Sequence, residues 1–320
     1  MPEPSPLDGA RPQVVFFGSG PVAAKSLELL SEWADIEAVI TKPQPPHHKE
    51  PFPVLIVAEK LGLKTFTPNG KAELSELFKS KPVTSQVGLV IDYGFIINQD
   101  VIDYFPLGII NSHFSLLPEW RGADPITFSI LSGQKQTGVS LMLIVKEMDE
   151  GPLLAQTPLE LSNDTTTPTL TEELIELSDK TLQHILPLYL EGKAQPAAQE
   201  SIALPGHDVA SYSRKLTKAD SVLDFTKPAA QLEREIRAFI EWPKSRTVIA
   251  GKDVVITKAH AVPSNNPGLK PGDITVESDV PVITIETSDG YLCIDALKPA
   301  GKNEMTVQAF LAGYGHLLKS

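Results

Sequence analysis

The first 160 residues alternate short apolar runs with helix-like stretches, and that rhythm constrains the fold more than any other feature. The runs VVFF, IEAVIT, VGLVIDYG, GIINSH and GVSLMLIV are separated by AAKSLELLSEW, VLIVAEKLG, KAELSELFK and PITFSILSG. Strands buried on both faces and joined by crossover helices build a parallel sheet. The expected fold is therefore α/β: a doubly wound, mostly parallel, Rossmann-like N-terminal domain. A long helical pattern, TLTEELIELSDKTLQHILPLYLEG, closes it, and KAQPAAQESIALPGHD follows with the composition of a linker. Beyond lies one amphipathic helix, AAQLEREIRAFI, and then alternating segments such as TVIAGKDVVITKA, GDITVES, VITIET and YLCIDAL. Strands spaced so closely by Gly, Pro and Asp turns predict a small antiparallel, OB-like β-barrel. The boundaries read as a domain over 1–192, a linker over 193–210 and a second domain over 211–320, within a chain of 320 residues that is long enough for two cores.

Composition narrows the classes of function. No apolar run approaches the length of a membrane span, and the start MPEPSPLDGARP has neither a signal core nor a transit-peptide character. A cytoplasmic location, with no membrane partner, is the expectation. The single cysteine, Cys293, excludes a disulfide framework and a thiolate metal site. The net charge of -12 opposes a nucleic-acid partner at first sight, but the charge is uneven. Residues 1–210 hold 14 basic against 27 acidic residues, whereas residues 211–260 hold 10 against 6. Lys215, Lys218, Arg234 and Arg237 mark a candidate electropositive surface there.

Between the first strand and first helix stands Gly18-Ser19-Gly20, followed by Pro21. A dinucleotide fingerprint also needs an acidic residue about 20 positions on, at the end of the second strand. That strand runs instead into Thr41-Lys42-Pro43. The turn keeps only the general property of a helix N-terminus, N–H groups that favour an anion or a carbonyl oxygen, and a purely structural turn reads equally well.

A more specific signal is GIINSHFSLLPEWRGADPI, residues 108–126. Asn111 and His113 stand two apart at the end of a strand, on one side of it, where open parallel sheets bind ligands. An asparagine amide can stabilise an oxyanion, and histidine moves a proton near neutral pH. The next strand leads into Glu147-Met148-Asp149-Glu150-Gly151. If the two strands are neighbours, Asp149 emerges beside His113, where a carboxylate can orient an imidazole.

These residues carry a resemblance. Asn111-Ser112-His113 with Ser115-Leu116-Leu117-Pro118, then Trp120-Arg121-Gly122-Ala123-Asp124-Pro125-Ile126, and Asp149-Glu150-Gly151-Pro152 resemble the folate-dependent formyltransferases. FFGSGPVAA is similar to their Phe-x-Gly-Thr-Pro-x-Phe-Ala opening. KLTKADSVLDF, IRAFIEWPKSR and LKPAGKNEMTVQAFLAGY resemble the C-terminal domain of those members that act on methionyl-tRNA. The resemblance implies transfer of a formyl group from 10-formyltetrahydrofolate to methionine on initiator Met-tRNA, by a monomer that needs no metal. It implies Asn111, His113 and Asp149 as catalytic residues. It also implies a folate wall at Ser115 to Pro118 with Tyr93 and Gly94, and an acceptor side at Gly18, Ser19, Gly20 and Arg121 with the basic residues named above. A sugar-nucleotide amine formyltransferase is the alternative, sharing the chemistry and differing in acceptor.

Two departures from the family pattern stand out. The loop after the second strand, TKPQPPHHKEPFPV, is short with only Lys42 and Lys49 basic, and Asp92-Tyr93-Gly94 stands where Ala-Tyr-Gly is usual.

Overall fold

The computed structural model describes residues 11–44, 51–263, 270–277 and 282–318. Lys49 and its neighbours in the short loop lie outside them. The chain forms two compact units.

The first unit takes in residues through Pro125, Gln136–Glu160 and Thr171–Ser213. Its seven-stranded sheet contains β1 (Gln13–Phe17), β2 (Asp35–Ile40), β3 (Thr65–Phe66), β4 (Gly88–Val90), β5 (Ile109–His113), β7 (Gln136–Leu143) and β8 (Leu153–Glu160). The spatial order is β3-β2-β1-β4-β5-β7-β8. The first five strands pair in parallel, and β5, β7 and β8 pair antiparallel. A separate two-residue ladder joins β6 (Arg121–Gly122) to β9 (Tyr212–Ser213). The helices are α1 (Pro21–Trp33), α2 (Pro53–Lys60), α3 (Lys71–Lys79), α4 (Gln99–Ile102), α5 (Pro125–Ser132), α6 (Thr167–Leu190) and α7 (Gln199–Ile202).

Local sequence explains these elements. In α1, Pro21 occupies the first turn, where its missing N–H costs nothing, and Ala23, Leu27 and Leu30 repeat at helical spacing to face the core. The strands are buried on both faces: Val14 to Phe17, Ala38 to Ile40 and Ile109 to Ile110 are all sealed from solvent. One register row runs Ile40, Phe17, Val90, Asn111, Met142 across five strands. Beyond it the parallel strands deliver Gly18, Asp92 and His113 to one edge, as an open α/β sheet delivers its site residues.

The second unit comprises Ile126–Lys135, Leu161–Leu170 and the chain from Arg214 onward. Its antiparallel sheet holds β10 (Ser245–Ile249), β11 (Lys252–Val262), β12 (Ile274–Glu277), β13 (Val282–Glu286), β14 (Tyr291–Pro299) and β15 (Met305–Thr306). The order is β10-β11-β14-β13-β12, with β15 on β14. Leu232 and Ile236 of α8 (Ala229–Ala238), one turn apart, share a core with Ile256, Ile285, Leu292 and Ile294. Val307 and Phe310 of α9 (Val307–Tyr314) complete that core. Among the described residues, no helix is long and apolar enough to cross a membrane.

Residues 193–210, which read as a linker by composition, are stitched onto the first unit. Ala197 exchanges backbone hydrogen bonds with Leu153, at 2.8 and 2.9 Å, and Gln199 is buried.

Candidate active site

Strand periodicity sets the first pair of residues. Asn111 is half-buried, with its amide unpaired among the described residues, and His113 is buried on the same strand face. The His113 Nε2 lies 3.0 Å from the carbonyl oxygen of Trp120. A carbonyl only accepts, so Nε2 carries the proton and donates it. That leaves Nδ1 as the nitrogen open to chemistry, and it stands 3.9 Å from Asp149 Oδ2. The gap exceeds a direct hydrogen bond and is short enough for a bent bridge through one water.

The neighbour relation expected between the two strands holds, but with a twist in direction. β7 is antiparallel to β5, so its end at Leu143 lies opposite Ile110 and not opposite His113. The loop over 144–152 therefore doubles back to carry Asp149 to the histidine. Two contacts hold it there. The Gly122 N–H donates to Asp149 Oδ2 at 2.7 Å, and Gly151 packs so tightly that a Cβ would fall 1.7 Å from the Leu143 carbonyl oxygen. Only glycine fits this position.

Arg121 is buried, paired through Nη1 with Glu150 at 3.1 Å and through Nη2 with Gln199 Oε1 at 2.7 Å. Its position behind the loop makes it a brace for Glu150. Nothing in the local sequence singles out Gln199, because its partners are remote along the chain.

The stretch Ser115 to Pro118 is wholly buried. Leu117 packs with Met142 and Leu153, while Leu116 lies over Gly138. Ser140 Oγ donates to the Ser115 carbonyl at 2.7 Å and accepts from Leu117 N–H at 2.9 Å, and Gln156 Nε2 donates to the Leu117 carbonyl at 2.6 Å. What this stretch can show a ligand is backbone and shape, since its leucine side chains belong to the core.

The glycine turn also differs from its sequence reading. The N–H groups of Gly18 and Ser19 are already bonded to the carbonyls of Ile40 and Asp92, at 3.1 and 3.0 Å. The Asp92 carboxyl packs against the start of α1: a Cβ on Gly20 would meet its Oδ2 at 2.2 Å. Gly20 and Asp92 thus fit as a pair. Loss of hydration pushes the Asp92 carboxyl above its usual range, even though the residue keeps contact with solvent, and Lys42 pulls it part of the way back. Lys42 also caps the ring of Phe95, 4.6 Å from its centroid. The Tyr93 ring packs edge-on against Phe17 and Phe95, and its buried hydroxyl has no partner among the described residues. Burial holds that phenol well above the ordinary tyrosine range. Among the described residues, no cluster of three or more His, Cys, Asp or Glu could hold a metal ion.

Comparison with known proteins gives the family. A family described as formyl transferase matches residues 13–186, and the formyl transferase C-terminal domain matches residues 215–315. The chain belongs to the formyl transferase family. The methionyl-tRNA formyltransferase of Roseiflexus sp. is 33% identical over 299 residues, covering 92% of this transferase and 90% of the relative. That of Roseiflexus castenholzii is 32% identical, covering 92% and 93%. Among solved structures, the N-formyltransferase of Helicobacter canadensis, crystallised with folinic acid and dTDP-3-aminofucose, matches with a TM-score of 0.64 at 17% identity, over 88% of this chain and 98% of that one. At that identity the likeness is one of fold.

The four basic residues of the transferase separate into two pairs. Lys215 and Lys218 are exposed. Arg237 is committed within the second unit: it forms a fork with Glu233, at 2.6 and 3.0 Å, and donates to the Thr165 carbonyl at 2.6 Å. Arg234 donates through Nε to the Leu131 carbonyl at 3.1 Å. The two arginines share a cavity of about 340 Å³ with Lys135, Asn163 and His260. Arg237→Gln should lower unfolding free energy by about 2 kcal/mol, because a charge-assisted network is broken. Thermal unfolding checks this, and an unchanged midpoint would remove the structural role.

Proposed function

We propose that the protein transfers the formyl group of 10-formyltetrahydrofolate to the amino group of methionine on initiator Met-tRNA. The match over both domains to relatives named for that activity carries the reading. The grouping of Asn111, His113 and Asp149 at one sheet edge supports it.

In this reaction the amine nitrogen forms a bond to the formyl carbon, the bond from that carbon to the folate N10 breaks, and the amine proton ends on N10. Negative charge gathers on the formyl oxygen as the nitrogen adds. The unpaired amide of Asn111 donates to that oxygen, in the manner of an oxyanion hole. His113, oriented by the Trp120 carbonyl, presents Nδ1 as the second polar group. Asp149 steadies the imidazolium and passes the proton along, through one bridging water. Tyr93, Gly94 and the backbone of Ser115 to Pro118 form the folate side. Gly18, Ser19 and Gly20 face the acceptor, with Arg121 bracing the loop behind. The domain over 1–192 does the chemistry, and the domain over 211–320 offers Lys215 and Lys218 to the tRNA backbone in the cytoplasm.

Purified protein is expected to move labelled formyl from 10-formyltetrahydrofolate to charged initiator tRNA. Transfer to an amino sugar nucleotide, with none to Met-tRNA, would overturn the assignment. A second outcome concerns how the tRNA is held. Neutralising one lysine that pairs with a phosphate lowers the slope of log affinity against log salt by about 0.9. Replacing both Lys215 and Lys218 with glutamine should flatten that slope by up to about 2, with no shift in melting temperature. An unchanged slope would count against this surface.

A further inference from the structure

We infer that Gln199 is a positioning residue for formyl transfer, its buried side-chain amide holding the Asp149 loop in register with His113. The inference rests on the function proposed above, and its structural basis lies entirely in the first unit.

Both donors of this amide and its acceptor oxygen are engaged. Gln199 is 2% exposed. Its Nε2 donates to the carbonyl of Asp149 at 2.8 Å and to that of Gly151 at 3.0 Å, so both sides of Glu150 are gripped by one group. Its Oε1 accepts from Arg121 Nη2 at 2.7 Å. Arg121 precedes Gly122, whose N–H holds the Asp149 carboxylate at 2.7 Å. The result is a closed circuit. The Asp149 main chain is held by Gln199, its carboxylate is held by Gly122, and the strand carrying Gly122 is tied back to Gln199 through Arg121.

The grip comes from a segment that is itself anchored. Ala197, two residues earlier, exchanges both backbone bonds with Leu153, at the start of β8. Downstream, Ser211 accepts from Arg121 N–H through its carbonyl at 2.9 Å, and its Oγ accepts from Trp120 N–H at 3.0 Å. Gln199 therefore acts from a fixed base and does not follow the loop. Removing the amide frees two carbonyls and loosens a guanidinium whose Nε has no partner among the described residues. The loop is then free to shift, and a displacement of about 1 Å at a reacting group can cost on the order of 100-fold in rate.

Two full-length variants test this. Gln199→Met keeps the volume and loses all three bonds. Gln199→Glu keeps the shape and the bond from Arg121, and it loses the donors to the Asp149 and Gly151 carbonyls. Both are expected to lower kcat by roughly 10- to 100-fold, with KM for either substrate within about twofold of the parent. Both should also shift the imidazole resonances of His113, followed by NMR at fixed pH without substrate. The NMR readout separates this inference from the acceptor assignment, since it needs no acceptor. Thermal unfolding gives the folded fraction, against which kcat is normalised. A normalised kcat within twofold of the parent would overturn the inference. So would a lowered kcat with unmoved His113 imidazole resonances, because the claimed link runs through the Asp149 to His113 geometry.

Discussion

Replacing His113 with alanine is expected to lower kcat for formyl transfer by at least about 10³-fold. The size follows from two roles in one side chain. A positioned acid or base contributes roughly 10²- to 10⁴-fold, and one oxyanion donor about 10²- to 10³-fold. His113 offers a single open nitrogen for both, because Nε2 is bonded to the Trp120 carbonyl. Substrate binding should change much less, since the folate and acceptor surfaces proposed above are built by other residues. Single-turnover rates with labelled donor measure the chemical step, and a melting curve confirms that the buried site still folds. A loss smaller than tenfold would remove His113 from the chemistry. Asp149→Asn keeps the length of the side chain and its bond from Gly122 N–H while removing the charge. It should lie between the parent and His113→Ala.

Gly151→Ala is also expected to damage catalysis, less severely and by a different route. The added methyl would fall 1.7 Å from the Leu143 oxygen and 2.9 Å from its carbonyl carbon. Both are backbone atoms of β7, and they do not move aside as a side chain would. The same turn is closed by the Leu143 N–H bond to the Pro152 carbonyl at 2.9 Å. The loop must give way, and the Gly151 carbonyl leaves Gln199 as Asp149 leaves His113. Overpacking of this kind typically costs about 1–3 kcal/mol in stability, and the displaced carboxylate about 100-fold in kcat. Gly313→Ala serves as the control. A Cβ there meets nothing within 4 Å, and in a helix alanine gains about 0.5–1 kcal/mol over glycine. Activity retained in Gly151→Ala at folded concentrations would show that the loop position does not matter.

The pairing of Asn111 with His113 was legible because strand geometry is local. Residues two apart share a face whatever the rest of the chain does, so Asn111 and His113 follow from a run of apolar residues and its end. The second domain was legible for a similar reason: alternating segments between turns specify β10 to β14. Arg237 was misleading for the opposite reason. A basic residue on an amphipathic helix reads as a solvent-facing charge, and nothing near it in sequence announces that Thr165, 72 positions away, uses its Nη1. The glycine turn misled in the same way, since the carboxyl packed against the start of α1 comes from Asp92, in the loop after β4.

By itself, then, the sequence determined the mostly parallel first sheet, the antiparallel second one, the Asn111 and His113 pair and the family to which they belong. All of these rest on patterns with periods of two or four residues, or on an unbroken motif. The tertiary structure decided the antiparallel sense of β7 and the loop that must double back with Asp149. It decided which His113 nitrogen stays open, and it turned a stretch with linker composition into the seat of Gln199, whose three partners lie 48, 50 and 78 positions away. Hydrogen bonds across such separations depend on how strands are ordered and directed in the sheet, which no local pattern encodes.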